Sequence, residues 1–64
     1  MESDRAQLSA LATTLDDLTH RIAEVASRHR TTPREDIAMG LDEVERSLLT
    51  ATRRLEKVMR AMRS

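Results

Sequence analysis

Asp16, Asp17, His20 and Glu24 are the residues whose types and spacing come nearest to chemistry. Separated by steps of three and four, they become neighbours on one stripe if the segment is helical. Carboxylates beside an imidazole are a plausible donor set for a divalent cation. The heptad phase of the surrounding segment nevertheless puts His20 at the outermost position, whereas the metal centres of helical bundles point inward. A solvated, ion-paired face is the expectation, with no metal and no cofactor. His29 falls at the end of the same segment, where a cation suits the negative pole of a helix.

Arg46, Arg53 and Arg60 recur at seven-residue steps, with Lys57 and Arg63 close by. Such a row can follow phosphates or meet an acidic partner. It can equally pair with Asp42, Glu43 and Glu56 of its own segment. No aromatic residue is available to stack on a base, so nucleic-acid association is the alternative function and not the leading one. Leu49 is the large aliphatic residue clearly off the apolar pattern. With Met39 and Met59 it is a candidate contact for another protein, since methionine surfaces adapt to several partners.

Catalytic readings fare poorly. Ser3, Ser9, Ser27, Ser47 and Ser64 lack a strand–turn–helix elbow and a base placed to activate them. One glycine in the whole chain excludes a glycine-rich phosphate loop. Leu15 to Arg30 faintly resembles the first helix of the all-helical chorismate mutases, a family that reads as repeating Leu and Ile-Asp pairs with interspersed Arg. The chain is too short for that family's third helix, so no enzymatic expectation is carried over.

The elements that position these residues are written in the apolar pattern. Leu8, Leu11, Leu15, Leu18, Ile22 and Val25 follow alternating steps of three and four, and Ile37, Leu41, Val44, Leu48, Ala51, Leu55, Val58 and Met62 do the same. A seven-residue repeat keeps one seam of a helix toward a partner helix, the pattern of coiled-coil packing. Ser3 or Asp4 can cap a first helix over about 3–30. Thr32, Pro33 and Glu35 then form an N-cap, a first-position proline and a capping-box acid for a second helix over about 33–62, leaving a turn at 31–32. So short a connection makes the helices antiparallel neighbours. Both segments are acidic early and basic late, so folding back sets opposite charges together at both ends. Leu11 is expected opposite Leu55, Leu18 opposite Leu48 and Val25 opposite Leu41.

The 64 residues form one domain at most, and a chain this short usually needs a disulfide, a metal or a partner chain. There is no cysteine, and with no Phe, Tyr or Trp the core must be aliphatic. Eleven acidic and eleven basic residues cancel, which removes any global pull toward nucleic acid or anionic membrane. The opening Met1-Glu2-Ser3-Asp4 is unlike a secretory leader, and no apolar run approaches the roughly 18 residues needed to span a bilayer. A cytoplasmic location is the expectation.

The resulting expectation is an all-α, antiparallel two-helix hairpin with coiled-coil heptads that self-associates into a four-helix bundle. Its core or oligomer interface comprises Leu8, Leu11, Leu15, Leu18, Ile22, Val25, Ile37, Leu41, Val44, Leu48, Leu55 and Val58. Ala12, Thr19, Ala26, Gly40 and Ser47 flank that seam and are small enough to admit another helix, which would account for a helix-interior glycine at position 40. The expected function is a non-catalytic protein–protein interaction module, an adaptor, regulator or scaffold, with itself and another protein as partners. Leu49, Arg46, Arg53, Lys57, Arg60 and Arg63 are the candidate outer contacts.

Overall fold

The computed structural model describes residues 2–62 and is all-helical: α1, Glu2–His29, folds back on α2, Glu35–Met62. Each helix has 28 residues and is therefore about 42 Å long. Glu2 and Asp4 open α1 and Arg28 and His29 close it; Glu35 and Asp36 open α2 and Arg60 lies in its last turn. Acids at the amino ends and bases at the carboxyl ends complement the two helix dipoles.

The turn is held by hydroxyls. Thr32 Oγ1 accepts a hydrogen bond from the Arg34 amide at 3.2 Å and donates to the His29 carbonyl at 2.9 Å. One side chain thus serves the last turn of α1 and the entry to α2. Thr31 Oγ1 donates to the Arg28 carbonyl at 3.1 Å, satisfying a second free acceptor. Thr32 does accept a bond from a following amide, but regular helix begins at Glu35, so Thr32 and Pro33 belong to the turn and do not take the N-cap and first helical positions expected of them. No hydrogen bond runs from Glu35 back to Thr32 among the described residues. Instead the Arg34 guanidinium grips both oxygens of Asp36 at 3.0 Å. A second clasp, Arg30 to Asp42 at 2.8 Å, ties the end of α1 to the first turns of α2.

The far end of the hairpin is fixed by Arg5, which donates to the backbone carbonyl of Met62 at 2.8 Å. Stepping inward from that level, a row of residues withdrawn from solvent on α1 runs Arg5, Leu8, Ala12, Leu15, Thr19, Ile22, Ala26 and His29, with Ala23 and Val25 half-buried beside it. On α2 the row is Ala38, Leu41, Glu45, Leu48, Thr52, Leu55, Met59 and Met62, with Ile37, Asp42 and Thr50 also half-buried. Both series alternate three and four, and at this register a small residue stands level with a large one: Ala12 with Leu55, Thr19 with Leu48, Ala26 with Leu41, Thr52 with Leu15. The hydroxyls of Thr19 and Thr52 donate to the carbonyls of Leu15 and Leu48 at 2.7 and 2.8 Å, so they enter the seam already satisfied.

This contact lies one row away from the expected stripe. Leu8, Leu15, Ile22, Leu41, Leu48 and Leu55 are half-buried along it, whereas Leu11, Leu18, Val44 and Val58 are exposed and Val25 and Ile37 half-buried. The physical reason is width. Two helices meet along a line, and small side chains on that line let the axes come close, while the leucine row beside it is left on the open flank. The small residues expected at the margin, Thr19 and Ala26, are with Ala38 the buried ones among the described residues, at 5%, 0% and 3% exposure. Ala12 is half-buried and Ser47 exposed. At Gly40 a Cβ added to the backbone would meet nothing within 4 Å, so no close approach inside the hairpin accounts for the glycine.

Thr32→Ala removes both hydroxyl bonds of the turn. The expected loss is about 1 kcal/mol, read as a fall in melting temperature of roughly 4–8 °C for a chain of this size in a thermal circular-dichroism scan.

Candidate interaction face

Among the described residues no large side chain is completely buried. Its radius of gyration is 14.9 Å, against about 11 Å for a compact domain of this length. Its accessible surface is 5041 Å², against roughly 4,200 Å² for a globular chain of its mass. The elongated shape and one open flank both contribute to that excess.

The two flanks of the seam differ in chemistry. On one, a shallow groove is lined by Ser9, Ala12, Thr13 and Asp16 of α1 and by Thr52, Glu56 and Met59 of α2. The Arg30–Asp42 ion pair spans the hairpin on the same side. This flank is polar and bridged. The heptad places Leu11, Leu18 and Val25 on the opposite side of α1, and Val44, Ala51 and Val58 on the corresponding side of α2. In an antiparallel pair these rows share one face of the hairpin. Leu11 is 47% exposed, Leu18 41%, Val44 43% and Val58 52%. Leu8, Leu15, Ile22, Leu41, Leu48 and Leu55 lie just behind them, half-covered. The open flank is therefore an apolar strip running about 25 Å, roughly half of the molecule's 49 Å length.

The remaining candidates lie outside this strip. Leu49 is 41% exposed and Met39 69%, separated along α2, and Met59 is half-buried at the polar groove. Arg46 pairs with Glu43 at 3.1 Å, while Arg53, Lys57 and Arg60 are exposed and carry no ion pair among the described residues. Arg54, not singled out by the seven-residue spacing, joins them; its adjacency to Arg53 was the available signal. Arg63 lies outside the described residues.

The carboxylate–imidazole stripe does not converge. His20 Nδ1 donates to the Asp16 carbonyl at 2.8 Å and stands 3.7 Å from the Asp16 carboxylate, while Asp17 pairs with Arg21 at 3.2 Å. Among the described residues no three His, Asp or Glu side chains are grouped to hold a metal ion. The backbone bond at Asp16, then the Asp16 charge, raise the His20 pKa above its ordinary 6.5. The hydrogen bond from Arg34 holds the Asp36 carboxyl below its ordinary 3.8. Both groups are fully exposed, so these shifts describe local pairing rather than sizeable stability. Among the described residues no helix is long and apolar enough to cross a membrane. Comparison of the chain with protein-family models, curated proteins and solved structures finds no match in any of the three.

The linkage signs are opposite for the two groups. Whatever His20 contributes is complete below pH 6.5 and is lost as pH rises through its raised folded value. The Asp36 contribution is present above pH 3.8 and is lost as pH falls through its lowered value. In an NMR titration His20 should protonate with a midpoint above 6.5, and Asp16→Asn should remove only part of the displacement, since the backbone bond remains. Arg34→Ala should return Asp36 toward the ordinary carboxylate range.

Proposed function

We propose that this chain is a non-catalytic protein-interaction module whose apolar flank takes up a second copy, so that two hairpins form a homodimeric four-helix bundle. As such it would serve as an adaptor, regulator or scaffold, presenting its outer surface to another protein. The observation that carries this is the pairing of an interior holding only small buried side chains with an apolar strip along one flank. Hydrophobic burial is the main favourable term in folding, and a two-helix contact lined by alanine and threonine supplies little of it. Covering the strip would bury the leucine rows from both sides.

A second copy suits the strip in size, pattern and charge. The surface in excess of a globular chain is about 840 Å² by mass scaling, comparable with the roughly 800 Å² that each partner gives to a standard interface. Both helices offer rows of matching length with the same heptad spacing. The chain is formally neutral, with acidic and basic residues at each end of the hairpin, so a copy of itself meets opposite charge without net repulsion.

A nucleic-acid-associated role is the second reading, favoured by Arg53, Arg54, Lys57 and Arg60 lying exposed without an ion pair among the described residues. It calls for weak, salt-sensitive binding without sequence preference. Absence of any DNA or RNA mobility shift at low salt would dismiss it.

Light scattering across a dilution series should give a mass near twice the 7.3 kDa chain. Leu18 and Leu49 are equally exposed at 41% but lie on opposite flanks, which makes them a matched pair. Leu18→Asp should abolish association and lower helicity with it, because the hairpin alone lacks a large buried core. Leu49→Asp should leave both unchanged. Equal effects of the two substitutions would remove the strip from consideration.

A further inference from the structure

Resting on the self-association proposed above, we infer that the second copy is a hairpin of this chain related by a two-fold axis along the bundle, with both turns at the same end and α1 of each copy facing α2 of the other. Face-to-face hairpins have a second symmetric choice, with the axis across the bundle, turns at opposite ends, and α1 on α1, α2 on α2. Every neighbouring helix pair is antiparallel in both. The side chains that meet are not the same.

With the axis along the bundle, the levels set by the Arg5–Met62 bond carry over to the contact between copies. Leu11 then faces the partner's Val58, Leu18 the partner's Ala51 and Val25 the partner's Val44. The central level sets the larger side chain against the smaller, which lets helices interlock at an even spacing. The row outside it repeats the relation: Arg28 lies beside the partner's Gly40, Arg21 beside the partner's Ser47, and Thr14 beside the partner's Arg54. Each long side chain has a small one to lie across, and an arginine stem can cover apolar surface while its head stays wet.

The crosswise axis loses this. Leu18 would meet the partner's Leu18 and Ala51 the partner's Ala51, prising α1 from α1 where α2 and α2 have nothing to interpose. Gly40 would meet Ala61, and Arg28 would meet Gln7. The same-end arrangement also gives position 40 a role that the hairpin lacks: nothing stands within 4 Å of a Cβ there, and the stem of the partner's Arg28 would occupy that space. Charges concur, since Arg28 and Arg54, without ion pairs among the described residues, come within a helical turn of the partner's Glu43 and the partner's Asp17.

The chain has no cysteine, so a single one can be placed at will. A spin label on Thr31→Cys in the turn, or on Ser3→Cys at the other pole, reports the distance between copies by pulsed electron resonance. Same-end packing gives a separation within about 25 Å, some two helix diameters, at both sites. A separation approaching the 49 Å length of the hairpin would overturn the arrangement while leaving self-association standing. No dipolar signal, with a monomer mass in the same sample, would overturn both together. Gly40→Leu supplies a second arm: same-end packing predicts at least a tenfold weaker dimer by sedimentation, and undiminished affinity would reject it.

Discussion

Close approach of α1 and α2 along a line of small residues is the constraint on which the rest of the molecule depends. Ala26 and Ala38 are alanines and Thr19 bonds its hydroxyl to its own helix, so the most deeply buried positions of the contact, among the described residues, carry little bulk, while the leucines beside them are only half-covered. Helix separation is set by the side chains between the axes. Had leucines from both helices occupied that line, the helices would stand farther apart and the apolar rows would close on each other. Because small residues occupy it, the leucines are turned outward together.

The ends of the seam are built differently from its middle. Arg5 at one end and His29 at the other are long, polar and half-buried, and each has one nitrogen enclosed without a partner among the described residues. Glu45 sits on the seam itself, with no hydrogen bond or ion pair among the described residues. Such groups contribute little to adhesion and cost something in desolvation.

The two helices, their antiparallel turn and the hydroxyl of Thr32 were legible because each rests on local chemistry: heptad spacing, a capping side chain, a proline. The choice of row was not. Leu11 and Ala12 are adjacent, and periodicity treats the leucine stripe as the seam because it counts hydrophobic residues without weighing how near two backbones can come. That choice belongs to the pair of helices and is absent from either alone. Asp16 and His20 were legible as neighbours and as a solvated pair, while the bond from the His20 ring to a backbone carbonyl needed coordinates. The Arg34–Asp36 clasp is a two-residue spacing that a helical template passes over, since it forms where the helix has not fully begun.

The bond from Arg5 to the Met62 carbonyl holds the two described ends of the chain side by side at one pole. Tension applied through those ends therefore peels α1 from α2 one turn at a time, beginning at that bond and finishing at the Arg30–Asp42 clasp. Each step resists with a single layer of the seam, so the hairpin yields as a soft zipper. Force directed along the helices between stacked hairpins would load all layers of the strip at once, in shear. The same architecture would then be compliant to a pull on its own ends and, if the proposed pairing of copies forms, stiff to a pull between them.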